Sequence, residues 1–224
     1  MKPELSIILP SIRTERLETL YKSILKSTKR SFELVICGPN QLPDSLASLK
    51  NVKFVKDYGS PVRASNIAAS LCEGEVYTWF ADDCILFDDS LDKCLDEFYA
   101  MGNDPLNVLV AKYFEGQEES IERETLQPDS YFKVSATPAA SPYFPQDWWL
   151  FNIAFMHADF FNSLGGWDCD FEGTWASHAD MAIRAQFMGA KVKMAQVPLF
   201  ACDHMPGGTG DHMPIFICQH QHDE

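Results

Sequence analysis

No stretch of the sequence approaches the roughly 18 consecutive apolar residues of a membrane span, and Met1-Lys-Pro-Glu-Leu-Ser enters a strand-like segment at once, without the pattern of a signal peptide. Basic residues are scarce: 18 Lys and Arg stand against 32 Asp and Glu, a formal charge of −14. Gripping a nucleic-acid backbone usually takes a basic face that displaces counterions, so no broad nucleic-acid surface is expected. The seven cysteines are odd in number and lack regular spacing, which points to a reducing compartment rather than a disulfide framework. The first loop, Pro10-Ser-Ile-Arg13, has no glycine, which ranks a nucleotidyltransferase low. These absences predict a cytoplasmic protein, at most peripheral to a membrane.

What is present suits one domain. The chain has 224 residues, 46% of them hydrophobic, enough to bury a full core. Charge is uneven: residues 88–124 hold eleven acids against three bases, and eleven of the 18 Lys and Arg fall in residues 1–63. A phosphorylated small molecule held by a few arginines and a metal fits this distribution better than a polyanion.

Along the chain, Leu5–Leu9 reads as a short buried strand stopped by Pro10-Ser11. Thr14 can cap a helix whose stripe is Leu17, Leu20, Tyr21, Ile24 and Leu25. Strands are expected at Phe32–Cys37 and Asn51–Val55, and a helix from Pro61 to about Cys72. An apolar run from Glu75 then carries a strand into Asp82-Asp83. A helix capped around Asp88–Ser90 uses Leu91, Cys94, Leu95 and Phe98, and Asn107–Lys112 is another strand. The segment 113–147, acidic and then Ser/Pro-rich, reads as a β-rich or looped insertion, a candidate lid. Trp148–Phe155 predicts a strand, Ala158–Leu164 a short helix, Gly165–Asp168 a turn, Ser177–Met188 a helix and Lys191–Phe200 a last strand. Strands alternating with helices imply βαβ units and a parallel sheet with right-handed crossovers.

Ligands in such sheets collect at the carboxyl ends of strands. Asp82-Asp83 at a strand end suits a hard divalent cation held against phosphate oxygens. An isolated pair is more often a polar strand end with a helix cap. Its company changes that reading.

That company is Leu5–Pro10 with Ser11, Arg63-Ala-Ser-Asn66, Gly74 through Asp83, Leu164-Gly-Gly-Trp-Asp168, and Asp180-Met-Ala-Ile-Arg184 with Gly189, in this order. The ordered set resembles a GT-A glycosyltransferase of the family 2 type, over residues 4 to 205. The resemblance implies an α/β, Rossmann-like βαβ sheet with a C-terminal acceptor-side portion. One domain would fill residues 1–224, with a nucleotide-sugar half at 1–112, an acceptor and catalytic half at 113–205 and a His-rich tail at 206–224. It further implies a nucleotide-sugar donor of the UDP- or GDP-sugar class, a divalent Mn²⁺ or Mg²⁺ ion, and inversion at the anomeric carbon.

Carried over residue by residue, the resemblance puts Pro10, Ser11, Arg13, Arg63, Asn66 and Asp82 at the nucleotide sugar. Asp83 and His204 fall at the metal, and Trp149 and Trp167 at the sugar or acceptor. Cys37-Gly38-Pro39 stands where the family often has an acid for the base, and Cys84 where a third metal-motif acid is frequent. If strand alternation reaches the acids, they face opposite sides, so Asp83 takes the metal while Asp82 holds the ribose or a loop amide. The family's base falls at Ser177-His178, so His178 or Asp180 takes the acceptor proton; histidine suits this chemistry. Plainer readings exist for several. Ser177-x-x-Asp180 is a capping-box spacing, Asp180 and Arg184 an i,i+4 pair, Arg63 a partner for a surface acid, and Trp148 and Trp149 core residues.

In the tail, Cys202, His204, His212, Cys218, His220 and His222 match no standard zinc-finger spacing. The acceptor is open: a glycan, a lipid-linked sugar, a protein or a modified nucleic acid. The competing reading is a degenerate GT-A module that binds a sugar or a partner without catalysis.

Overall fold

A computed structural model describes residues 2–115, 131–133 and 148–202. Strand β1 (Leu5–Pro10) leads through a 3-10 turn (Thr14–Arg16) to helix α1 (Leu17–Ser27). There follow β2 (Phe32–Gly38), α2 (Asp44–Ala47), β3 (Val52–Lys56), α3 (Pro61–Ala69) and β4 (Val76–Trp79). The middle comprises β5 (Cys84–Leu86), α4 (Ser90–Tyr99) and β6 (Asn107–Glu115). The rest is β7 (Tyr131–Lys133), β8 (Trp149–Phe151), β9 (Ala154–His157), α5 (Ala158–Ser163), α6 (Thr174–Phe187) and β10 (Lys191–Cys202).

Eight strands form one sheet in the order β3-β2-β1-β4-β9-β6-β10-β5, with β7 and β8 as a separate pair. β3, β2, β1 and β4 are parallel, as the alternation of strands and helices predicts. The other half is mixed, which the parallel expectation did not include. β9 runs antiparallel to both β4 and β6, and β5 antiparallel to β10. A parallel return needs a crossover of a dozen or more residues. The short Phe80–Asp83 turn between β4 and β5 leaves no room for one, and β9, inserted between β4 and β6, is reversed against both.

The side chains of Leu5, Ile7, Ile8 and Leu9 are all fully buried, since a parallel strand is covered on both faces. Leu17, Leu20, Tyr21 and Ile24 bury the inner face of α1, while Leu25 lies off that face at 53% exposure. In α4, Leu91, Cys94, Leu95 and Phe98 form the buried stripe. Fully burying each of its leucines and its phenylalanine stabilises by roughly 1.5–3 kcal/mol. One cluster of buried side chains runs from Leu5 to Cys202. No helix among the described residues is long and apolar enough to cross a membrane.

At the amino-terminal edge of the sheet, buried Glu33 accepts from Ser6 Oγ at 2.6 Å and from the Gly74 N–H at 3.1 Å. Its other oxygen meets Lys53 Nζ at 2.8 Å. Burial alone would raise its pKa; the bonds from Lys53, Ser6 and the Glu73 amide outweigh it and hold the carboxyl low. The opposite, carboxyl edge is therefore left to bind ligands.

Two of the predicted boundaries that move bear on the site. β4 ends at Trp79, so Asp82 and Asp83 occupy a turn rather than a strand, and alternation does not orient them. α6 begins at Thr174 behind Gly173, three residues before the predicted start. Ser177 is then inside the helix, its hydroxyl donating back to the Thr174 carbonyl at 2.9 Å, and is not a cap. Of the proposed lid, only β6 up to Glu115 and the β7 strand fall within the described residues.

Candidate active site

β1 and β4 are parallel neighbours, with Ile8 beside Trp79, so their carboxyl ends deliver two loops to one place. Asp82 joins them. Its Oδ2 accepts from Ser11 Oγ, the Ile12 N–H and the Arg13 N–H, each at 2.9 Å. Its Oδ1 accepts from Arg13 Nε at 2.7 Å and pairs with Nη2 at 2.5 Å. Charge-assisted bonds of this kind are the strong ones. Asp82 is 2% exposed, so it builds the loop of Pro10, Ser11 and Arg13 from beneath. Arg13 Nη1 also reaches Asp83 Oδ2 at 3.5 Å.

Gly38 closes the neighbouring wall. A Cβ there would lie 1.8 Å from the Ser11 carbonyl oxygen, so β2 and the first loop touch through backbone alone. Asn40 Nδ2 donates to the Ile12 carbonyl at 2.8 Å. The acid absent after β2 has a counterpart after β3: the Asp57 N–H donates to the Gly38 carbonyl at 3.1 Å. Asp57 accepts from Arg63 Nε and Nη2, each at 3.1 Å, and from the Gly59 N–H at 2.9 Å. The hydrogen bond from Arg63 lowers the Asp57 pKa, and the same bond raises that of Arg63. Arg63 stays 60% exposed at its side chain. Burial, and then Asp57, push the Cys37 thiol up to about 11.

One turn along α3, Asn66 faces the Gly165–Asp168 loop. Its Nδ2 donates to the Trp167 carbonyl at 2.7 Å, and its Oδ1 accepts from the Trp167 N–H at 3.0 Å. Gly166 adopts φ +73°, and a Cβ there would meet Asn66 Oδ1 at 2.5 Å, so this position needs glycine twice over. From the other side Arg184 donates to the Leu164 carbonyl at 2.7 Å and the Gly166 carbonyl at 2.9 Å. Its Nε donates to Asp180 Oδ2 at 2.7 Å.

His178, partly buried, lies with its ring centroid 6.3 Å from Trp79 and 6.0 Å from Trp167. Burial lowers its pKa to about 4, so the imidazole is neutral at pH 7. Trp167 is 2% exposed, and its indole N–H has no hydrogen-bond partner among the described residues. Trp149 sits elsewhere: its N–H and carbonyl bond the Gln186 side chain, eight residues and about 12 Å along α6 from His178.

The fold thus gathers Pro10, Ser11, Arg13, Asp82 and Asp83 in one group and Asn66, Trp167, His178 and Asp180 in a second. α3, carrying Arg63 and Asn66, links them, and Trp149 lies apart. His204 lies outside the described residues. Sequence reasoning missed Asp57 and Asn40. Asp57-x-Gly59 is an Asx-turn spacing ahead of the Ser60 cap of α3 and was a legible signal for the first.

Both Asp82 oxygens carry donors, and Asp83 beside it meets Arg13 and the Cys84 thiol. Among the described residues no three His, Cys, Asp or Glu side chains group to hold a metal. One carboxylate with substrate phosphates is nevertheless a usual Mg²⁺ environment. The residues present fit an ion that arrives with a diphosphate.

No family model matches the sequence, and no curated protein matches it either. Solved structures do. TarS residues 1–349 from S. aureus superimpose with a TM-score of 0.62 at 14% identity, covering 91% of this chain and 60% of that one. The same protein in complex with UDP-GlcNAc gives 0.64 at 15% identity, covering 96% and 61%. A longer TarS chain gives 0.62 at 14% identity, covering 98% and 43%. This chain therefore spans about three-fifths of the TarS 1–349 chain. TarS is a GT-A-type glycosyltransferase, and a mixed α/β sheet is what the two share. The chain has the GT-A glycosyltransferase fold.

Proposed function

We propose that the chain is an inverting glycosyltransferase that moves a sugar from a nucleotide-sugar donor to an acceptor hydroxyl. The observation that carries the reading is Asp82 fastening Ser11–Arg13 beside Asp83 at the carboxyl ends of β1 and β4. A divalent ion held beside that loop would supply the positive charge a diphosphate needs. The TarS structures hold UDP and UDP-GlcNAc, which makes uridine donors the first to try.

In this reading the acceptor oxygen attacks C1 of the sugar as the C1–O bond to the diphosphate breaks. Asp83 would hold a divalent ion, Mn²⁺ or Mg²⁺, whose charge offsets that growing on the leaving diphosphate. Arg63, on the exposed side of its Asp57 pair, can add its guanidinium to the same phosphates. His178 takes the acceptor proton. With a pKa of about 4 it has the basicity of an ordinary aspartate, the residue type the family pattern expects. Asp180, bonded to Arg184, holds the Gly165–Asp168 loop, which the buried Trp167 anchors from inside.

The test is donor hydrolysis and transfer with Mn²⁺ over a panel of UDP- and GDP-sugars, with calorimetry of UDP binding. Absence of binding to every donor by folded protein overturns the proposal. One observation favours a second reading, a binding module without turnover: Arg63, Asn66 and Asp180 all bond to scaffold groups. Nucleotide binding without hydrolysis or transfer to any acceptor class would select it.

A further inference from the structure

We propose that Cys84 and Cys202 are a disulfide-forming pair, closing a cross-strand bridge beside Asp83 when a peroxide reaches the cleft there. The pairing follows from strand register. β5 and β10 are antiparallel, and Cys202 stands directly opposite Cys84. The Phe87 N–H donates to the Leu199 carbonyl at 3.1 Å, which makes 87/199 a hydrogen-bonded position. Positions alternate along an antiparallel ladder, so 85/201 is the next bonded one and 84/202 is not. Residues at non-bonded positions have Cα atoms about 4.5 Å apart with side chains on the same face. Disulfides span Cα separations of about 4.4–6.8 Å. The two thiols therefore need no backbone rearrangement to approach bonding distance.

Both are thiols in this structure and both are buried. Cys202 Sγ donates to the Phe114 carbonyl at 3.6 Å, and Cys84 Sγ lies 3.9 Å from Asp83 Oδ1. Cys84 lines a cleft with Thr19, Asp83 and Ala201, the last being the chain neighbour of Cys202, so a small oxidant has a path to the pair. Burial, and then Asp83 and Cys202, push the Cys84 thiol well above its usual range. Cys202, the more exposed at 9%, is the first to react.

The step balances with hydrogen peroxide as oxidant. Cys202 sulfur attacks one peroxide oxygen, the O–O bond breaks, and a sulfenic acid forms as the first water leaves. Cys84 sulfur then attacks that sulfur, the S–S bond forms, the S–O bond breaks, and the hydroxide leaves with the Cys84 proton as the second water. Two thiols lose two electrons and the peroxide gains them.

The experiment treats the full chain with hydrogen peroxide, blocks remaining thiols under denaturing conditions without reductant, and maps peptides by mass spectrometry. The expected result is a peptide pair joined through Cys84 and Cys202, lighter by two hydrogens than the sum of its parts, and lost on adding dithiothreitol. Cys84→Ser and Cys202→Ser should each abolish the joined pair. The oxidised wild type should melt at higher temperature than the reduced, and Cys202→Ser should show no such difference. Recovery of both cysteines blocked, oxidised singly or joined to other cysteines overturns the proposal. None of these readouts depends on transferase activity.

Discussion

Asn66 and Trp167 are joined in both directions, side-chain amide to carbonyl at 2.7 Å and backbone N–H to amide oxygen at 3.0 Å. A residue of α3 thereby sets the backbone of a loop 101 positions later. The polar residues of the candidate site divide into those that shape loops and those placed to meet a ligand. Mutation separates the two.

Asn66→Ala should loosen the Gly165–Asp168 loop. Three hydrogen bonds are lost, two with Trp167 and one with Cys169 Sγ, at an expected cost of about 1–3 kcal/mol in a denaturant titration. Asn66→Asp keeps the acceptor and loses the donor, and should fall between. Equal stability of all three proteins would show that the clasp does not hold the loop.

Asp82 and Asp83 should differ sharply. Asp82→Ala leaves the Arg13 guanidinium buried without its main partner, at a cost of roughly 3–5 kcal/mol. Asp83→Asn should leave the melting temperature within a few degrees and weaken Mn²⁺-dependent UDP binding, read by calorimetry. If Asp82→Ala melts like the wild type, the loop-building role fails.

His178 also predicts a pH response. Its folded pKa, about 4, lies below the unfolded value of roughly 6.5. Between these values the unfolded chain binds the proton and the folded chain does not, so stability falls as pH drops from about 6.5 to 4. Above that window the residue contributes no pH dependence. His178→Gln should flatten this part of the stability curve. As the base it should also cut turnover by about 10²–10⁴.

Asp180→Asn tests the competing assignment. As a positioning residue, Asp180 should share its effect with Arg184→Lys, both raising the KM for the acceptor and lowering the melting temperature. A fall in kcat of about 10²–10⁴ with unchanged stability would make Asp180 the base instead.

Glu33→Gln probes the opposite edge of the sheet. The Glu33 pKa is held below its ordinary value, so its contribution is present above that value and lost as pH falls through the lower folded one. Comparing acid unfolding of wild type and variant should show the difference at neutral pH vanishing in acid. UDP binding should be unaffected.

Much of the scaffold was legible in the sequence because its signals are local. The continuous apolar run of β1 and the stripe of α4 need only period and propensity. The end of β4 was hidden because Phe80 continues the apolar run while packing against Phe200 at 5.7 Å rather than joining the ladder. The start of α6 was misplaced because Ser177 has the composition of a cap, yet it is fully buried and bonds backward. The site was legible as residue types. The Asp82–Arg13 contact was not, since it spans 69 positions and depends on β1 and β4 lying side by side. The Asp57–Arg63 pair spans six and was within reach.

Gly38 carries a consequence for engineering. With the Ser11 carbonyl 1.8 Å from where its side chain would begin, any residue larger than glycine must push the first loop off Asp82. If the proposed function holds, recognition of a donor's base thus has no adjustable position at Gly38. On the proposed function, attempts to retune donor preference belong at Tyr58, whose 77% exposed ring offers room for libraries that leave the Asp57–Arg63 and Asp82–Arg13 pairs untouched.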